Sequence, residues 1–298
     1  YGLCFTKINI NEKVPKGSSI EAWAREKRYE LIGQVMNKND LLFTAHHQDD
    51  QVETFFLQAL RGAGPRGLSS MPLFKDITNA IHVRPLLNYS RSELKFYAKE
   101  KKLSWQEDSS NTDTKFDRNY LRNKVIPAFE KRWPSYRKTI SRLIVHQQEC
   151  ASLMSEIGLQ DLKIVSHKKQ LNLNMLRDLS VARQKNIIFI WLQKLQIETP
   201  NSKHINQIVS DLINTKSDNA NCINWRTVEI RKYKNLLYAY KRTHKNIDNI
   251  NLKWDISRPL KIMDEILIAK TQIGNGLSKK SIENKNIRVQ YRIGGEKL

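Results

Sequence analysis

The sequence predicts an α/β protein with a parallel-sheet domain first, a helical connector next and a smaller mixed α/β domain after it. Three observations carry that prediction. An apolar run of strand length, "DLLFTAHH", leads into "DDQVETFFLQAL", where Val52, Phe55, Phe56 and Ala59 recur at helical period, and a strand-helix-strand order of this kind builds parallel sheets. A stripe of Leu143, Gln147, Cys150, Met154 and Ile157 runs through one long helix from Tyr136 to Ile157. Three short runs, "NCINW", "TVEIRKY" and "LLYAYKR", have the length and spacing of a small antiparallel sheet.

Taken in order, "CFTKINI" reads as a short strand and "PKGSSIEAWAREKRYELIGQVM" as a loop and helix, with Ser18 and Glu21 spaced as a capping box. After the central strand and helix, "IHVRPLL" reads as another strand. "SRSELKFYAKEKKL" then reads as a helix begun by a serine cap with a glutamate three residues on. "EDSSNTDTKFDRN" is a polar loop leading into "YLRNKVIPAF", a helix that Pro127 is expected to end or kink. Two amphipathic helices, "SVARQKNIIFIWLQKLQ" and "SKHINQIVSDLIN", precede the small sheet, and "NIRVQYRIGGEKL" opens a further strand. The expected domains are 1–130, a linker at 131–157, a second domain at 158–245, and 246–298 as a linker and the start of another unit.

Length of 298 residues favours two domains, and no apolar run reaches the roughly 18 residues that span a bilayer, so no membrane partner is expected. Cys4, Cys150 and Cys222 are odd in number and lack CxxC spacing, which argues against a disulfide framework or a cysteine zinc site and points to a reducing, cytoplasmic compartment. The balance of 51 Lys and Arg against 30 Asp and Glu, net +21, suits a polyanionic partner. The charge is clustered: nine cations lie between Lys115 and Arg142, and seven between Arg226 and Lys245, among them Arg231, Lys232 and Lys234.

In open parallel sheets, ligands sit beyond the carboxyl ends of strands, and "AHHQDD" is at such an end. Helical steps of about 100° put Asp49, Asp50 and Glu53 within one arc, and put Glu21, Arg25 and Arg28 within a narrower one. The first group reads either as dipole-favoured helix capping or as a site; the second alone reads as a cap and a solvated ion pair. His46, His47, Asp49 and Asp50 are also a candidate ligand set for a metal-dependent phosphohydrolase, although the other histidines are scattered along the chain. "RGAGPRGL" offers Arg61, Gly62 and Arg66 for close approach to phosphate, and Arg118 and Arg122 stand one helical turn apart, either as a phosphate clamp or as a basic surface.

Four strings in this order, "IEAWAREKRY", "AHHQDDQVETFFLQALRGAGPRGLSSM", "RPLL" and "EDSSNTDTKFDRNYLRNKVIP", resemble the tRNA(Ile)-lysidine synthetase family of N-type ATP pyrophosphatases. The resemblance implies an adenine nucleotide alpha hydrolase-like domain that uses ATP and magnesium. It also implies that the wobble cytidine of the CAU anticodon of a minor tRNA(Ile) is adenylated at its carbonyl oxygen. Free lysine then displaces AMP through its ε-amino group.

Carried onto this sequence, the family pattern makes Asp50 and Arg118 catalytic, with Asp50 also on the metal. It places His46, Glu53, Glu21 and Arg25 on the lysine side, Arg61 and Gly62 on ATP, and Arg122, Arg231, Lys232 and Lys234 on tRNA. A homodimer is the oligomer left open. The family's Ser-Gly-Gly-x-Asp-Ser loop does not occur here, so residue 1 is expected to align past it, and the far end to stop before a last tRNA-gripping domain. The 298 residues alone are then expected not to turn over ATP. A phosphohydrolase and a non-catalytic RNA-binding protein remain as rivals.

Overall fold

A computed structural model describes residues 2, 4–15, 20–77, 79–106, 112–215, 222–241, 251–262, 265–274, 276–282 and 286–290. The chain forms two compact units, one of residues 1–166 with 178–191 and the other of 167–177 with 192–298.

In the first unit, helix α1 (Ile20–Val35) leads to strand β1 (Asp40–Phe43), and β1 to helix α2 (Gln48–Leu60) and the short α3 (Pro65–Leu68). Strands β2 (Phe74–Ile77) and β3 (Ala80–Val83) follow, ordered β1-β3-β2 in the sheet. β1 and β3 are parallel, in the register Leu42 to His82 and Phe43 to Val83, as the strand-helix-strand order requires. β2 pairs antiparallel with β3, a hairpin that the sequence reading did not contain. Residues 4–10 form no strand among the described residues. They are exposed and meet no ladder partner, and an alternating sequence becomes a strand only where a neighbour accepts its backbone groups. Ser18 and the side chain of Glu21 lie outside the described residues, and the proposed capping box with them.

Helix α4 (Arg91–Glu100) starts as its sequence says. Ser90 is the N-cap, its Oγ accepts from Glu93 N at 3.2 Å, and Glu93 Oε2 accepts from Ser90 N at 2.7 Å. Helix α5 (Asp117–Tyr120) runs through a π-helical stretch, Leu121–Val125, into α6 (Ile126–Arg132). Pro127 therefore does not end the helix. It stands in the first turn of α6, where its missing donor is tolerated, and the wider π turn precedes it.

Helix α7 (Tyr136–Val165) has 30 residues and packs along α2 and α3. Its buried positions are Tyr136, Ile144, Gly158, Asp161, Leu162 and Val165, while Leu143, Cys150 and Ile157 are exposed, so the packing stripe is offset from the predicted one. Gly158 and Asp161 carry no apolar signal. They are buried because Asn186 and Ile190 crowd the first and Arg183 pairs with the second. A core of Val52, Leu121, Ile126 and Tyr136, flanked by Phe56, Val125, Phe129 and Ile140, ties α2 to the 117–132 helical run and to α7.

The second unit has a five-stranded sheet, built from β4 (Ser166–His167), β5 (Gln170–Asn172), β6 (Cys222–Trp225), β7 (Val228–Tyr233) and β8 (Leu236–Lys241), in the order β4-β5-β8-β7-β6. The β6–β7 and β7–β8 pairs are antiparallel, as expected. Helix α8 (Leu173–Arg177) and a π-helical stretch at Ile208–Ile213 pack against this sheet, burying Leu173, Leu176, Leu212, Ile230 and Leu237. Helix α9 (Val181–Lys194) straddles the division between the units, and α10 (Ser202–Gln207) precedes the π stretch. Beyond them are β9 (Asn251–Trp254), which pairs with β12 (Ile287–Gln290), a β10–β11 hairpin (Leu260–Ile262, Glu265–Leu267) and a turn of helix, α11 (Lys279–Ile282). No helix among the described residues is long and apolar enough to cross a membrane.

Candidate active site

The chain turns from β1 into α2 through Thr44–His47, at the carboxyl end of the strand. Asp50, three residues inside the helix, accepts from the His47 backbone N–H at 2.9 Å and closes the first turn. Val52 is fully buried in the core beneath, which carries Asp50 and Glu53 to the side of α2 that faces α5 and the π turn.

There the two arginines of "FDRNYLR" meet them. Arg118 donates from Nε to Glu53 Oε2 at 2.6 Å and from Nη2 to Asp50 Oδ1 at 2.7 Å. Arg122 donates from Nε to Glu53 Oε1 at 2.6 Å and from Nη2 to Glu53 Oε2 at 2.9 Å, and reaches Asp50 Oδ1 at 3.3 Å. Glu53 is 1% exposed and the arginine side chains 25% and 22%, so the two charge pairs offset the desolvation that each group alone would suffer. Burial by itself would lower the Arg122 pKa, and the bonds to Glu53 with the Asp50 and Asp49 charges reverse that, leaving it raised. Asp49 takes other partners. Its Oδ1 accepts from Arg137 Nε at 2.7 Å and its Oδ2 from the Arg91 backbone N–H at 2.8 Å.

On one side of this network is a cavity of about 410 Å³, lined by Arg25, Arg28, Tyr29, Thr44, His46 and Arg118. A second hollow of about 280 Å³ is lined by Asp49, Glu53, Arg91, Lys95, Arg122 and Arg137. His46, Arg25, Asp50, Glu53, Arg118 and Arg122, all predicted site residues, thus gather in the first unit.

Arg61 and Gly62 do not join them. They close the far end of α2, roughly 16 Å along the helix from Asp50 by the rise per residue. Gly62 has φ 70°, the left-handed geometry of a helix C-terminus, and its N–H returns to Ala59 O at 2.9 Å. Arg66 is spent on α9, donating to Asn186 Oδ1 at 2.7 Å and lying over the Phe189 ring at 4.3 Å. In the second unit, Arg231 and Lys234 are exposed. Lys232 falls on the buried face of β7 beside Val228 and Ile230 and is 8% exposed, which takes it off the basic surface.

Among the described residues the acidic groups do not gather into a metal-ligand set. Every oxygen of Asp50 and Glu53 is engaged by an N–H donor, and no three His, Cys, Asp or Glu among the described residues come together as ligands.

Sequence reasoning passed over a second group, Thr44, His82 and Arg84. His82, read as one of the scattered histidines, is 1% exposed, and its Nε2 lies 2.8 Å from Thr44 Oγ1, which lies 2.7 Å from His46 Nδ1. Arg84 Nη2 lies 3.0 Å from His82 Nδ1. The signal available was the two-residue spacing of His82, in the strand that pairs with β1, and Arg84 just past its end. Burial lowers the His46 pKa, the Asp50 charge offsetting part of the shift and Arg84, Arg118 and Arg25 adding to it. Burial, with Arg84 next, pushes His82 down to about 4. Both imidazoles are neutral near pH 7.

Residues 3–129 match the PP-loop domain family, and residues 171–238 match the TilS substrate binding domain. A Coxiella burnetii protein named tRNA(Ile)-lysidine synthase is 35% identical over 294 residues, covering 98% of this chain and 65% of that protein. A Legionella pneumophila (strain Lens) protein of the same name is 32% identical over 288 residues, 95% of this chain and 66% of its own length. One from Haemophilus influenzae, also so named, is 37% identical over 233 residues, 77% of this chain and 54% of its own. The chain therefore spans just under two thirds of the length of the first two relatives.

Proposed function

This chain belongs to the tRNA(Ile)-lysidine synthase family, and from that we propose that the full-length protein ligates lysine to the wobble cytidine of the tRNA(Ile) CAU anticodon at the expense of ATP. The observation that carries the reading is the double-arginine fork on Asp50 and Glu53, from which Arg118 reaches the wall of a cavity that also holds Arg25, Arg28 and His46.

Each residue has a task in that reaction. Glu53 and Asp50 fix the guanidinium planes before substrate arrives, so no orientation has to be found during the reaction. Arg118 keeps N–H donors beyond those it gives to the carboxylates, and with Arg25 and Arg28 it offers them to phosphate oxygens as the cytosine carbonyl oxygen attacks the α-phosphorus and pyrophosphate leaves. The lysine ε-amine then adds at the activated carbon, and the C–O bond to AMP breaks. Arg231 and Lys234, exposed in the unit that matches the substrate binding domain, contact tRNA phosphates.

Arg118 is the residue to test. In the full-length protein, Arg118→Ala should lower the single-turnover rate of adenylation by about 10²–10³, the usual effect of losing one preorganised donor, with little change in tRNA affinity. Arg118→Lys should recover only part of the rate, because an ammonium cannot span both carboxylates as the planar fork does. Intact adenylation with weakened tRNA binding would move Arg118 from the catalytic centre to the RNA surface.

A further inference from the structure

We propose that His82 is a positioning residue: acting through Thr44, it fixes His46 as the tautomer protonated at Nε2, a hydrogen-bond donor to an anionic oxygen of the bound substrate. The identity of that oxygen rests on the ligase reading; the tautomer does not.

The polarity of the chain of contacts follows from its first member. A guanidinium has donors and no acceptor, so at 3.0 Å from Arg84 Nη2 the His82 Nδ1 must carry a lone pair. Its proton is then on Nε2 and is donated to Thr44 Oγ1 at 2.8 Å. Thr44 has one hydroxyl hydrogen and two lone pairs; with one lone pair taken by His82 and no other acceptor near Oγ1 among the described residues, the hydrogen goes to His46 Nδ1 at 2.7 Å. His46 Nδ1 accepts, which leaves the His46 proton on Nε2.

The relay is held in place. His82 is 1% and Arg84 4% exposed, Arg84 Nη1 is tied to Pro72 O at 2.7 Å, and the Tyr29 ring lies 5.3 Å from the His82 ring. Solvent therefore does not offer the alternative partners that would let the hydrogen bonds reverse.

The receiving group is chosen by the cavity. Its lining includes Arg25, Arg28 and Arg118 beside His46 and, among the described residues, no carboxylate, so an oxyanion is the complement of the His46 N–H. The lysine carboxylate and an ATP phosphate both present such an oxygen, and kinetics separate them.

Two substitutions at one position distinguish a relay from a merely structural histidine. In His82→Gln, the amide oxygen can accept from Arg84 while the NH₂ donates to Thr44, so the polarity persists. In His82→Glu, the carboxylate accepts from Arg84 and also from the Thr44 hydroxyl. Thr44 then shows His46 a lone pair, and His46 must carry its proton on Nδ1.

The measurement is the ¹⁵N shift pattern of the neutral His46 imidazole in ¹⁵N-histidine-labelled full-length protein, with the His46 signals identified by their loss in His46→Asn. Wild type and His82→Gln should show protonated Nε2, and His82→Glu protonated Nδ1. In steady-state assays, His82→Glu should raise KM for lysine or for ATP about tenfold or more, the worth of a hydrogen bond to a charged group, and His82→Gln should hold it near wild type. The substrate whose KM moves is the one that owns the oxygen. Protonated Nδ1 in wild type, or no change in His82→Glu, overturns the relay whether or not the protein makes lysidine. An inverted tautomer with both KM values unmoved overturns the donor role.

Discussion

Asp49 is held at the mouth of the centre by a backbone N–H from Arg91 and by the guanidinium of Arg137, which also pairs with Glu130. Burial alone would raise its pKa, but the Arg91 and Arg137 bonds and the Arg137 charge outweigh burial and leave it lowered. A carboxylate whose folded pKa lies below its unfolded value, about 3.9 for Asp, stabilises the fold above that value and loses the contribution as pH falls through the folded one. Asp49→Asn should therefore cost stability at pH 7 and flatten the loss of stability on acidification below about pH 4. Urea unfolding between pH 3 and 7 checks this, and a variant with the acid limb of the wild type would detach Asp49 from the pH dependence. Asp50 and Glu53 could be seen as one arc of the helix from spacing alone. Their arginine partners lie 65 to 72 residues along the chain, a distance over which periodicity carries no information.

Among elements, α7 shows how a small residue can set a crossing. A Cβ placed on Gly158 would stand 2.7 Å from Ile190 Cγ1 and 2.9 Å from Asn186 Nδ2. Asn186 cannot step aside cheaply, because its Nδ2 donates to Met154 O at 2.6 Å and its Oδ1 accepts from Arg66. Alanine would gain about 1 kcal/mol of helix propensity, against about 1–3 kcal/mol for overpacking. Gly158→Ala should thus be neutral to destabilising by up to about 2 kcal/mol, read as a lower urea midpoint. A clear gain in stability would show that the helices part without strain.

Among the elements that could be read in the sequence, α4 and the β6–β8 sheet owe this to a cap and an alternation that are local. The α7 stripe was misplaced because Leu143, Cys150 and Ile157 repeat at helical spacing on a solvent-facing side, while the buried side uses a glycine and an aspartate. Strand β2 was missed because "FKDI" is mostly exposed and shows little apolar alternation. The relay was missed because strand pairing, not sequence spacing, brings His82 beside Thr44.

Across the whole molecule, a net charge of +21 favours a polyanion whose binding weakens with salt. The exposed cations Arg231 and Lys234 should each account for about one unit, or slightly less, of the slope of log affinity against log salt, so replacing both with glutamine should reduce it by roughly 1.5 to 2. Lys232→Gln serves as the contrast. Buried on the inner face of β7, Lys232 should leave the slope unchanged, and an equal fall in slope there would contradict its burial.

The most direct test of the account is chemical. Full-length protein is incubated with ATP, lysine and tRNA(Ile) bearing a CAU anticodon, and the anticodon fragment is analysed by mass spectrometry while pyrophosphate and AMP are counted. The account predicts one lysine on the wobble cytidine for each pyrophosphate and AMP released, none without ATP, and sharply less with Arg118→Ala. Release of inorganic phosphate with an unmodified cytidine, or tRNA bound without any ATP-dependent change, would contradict it.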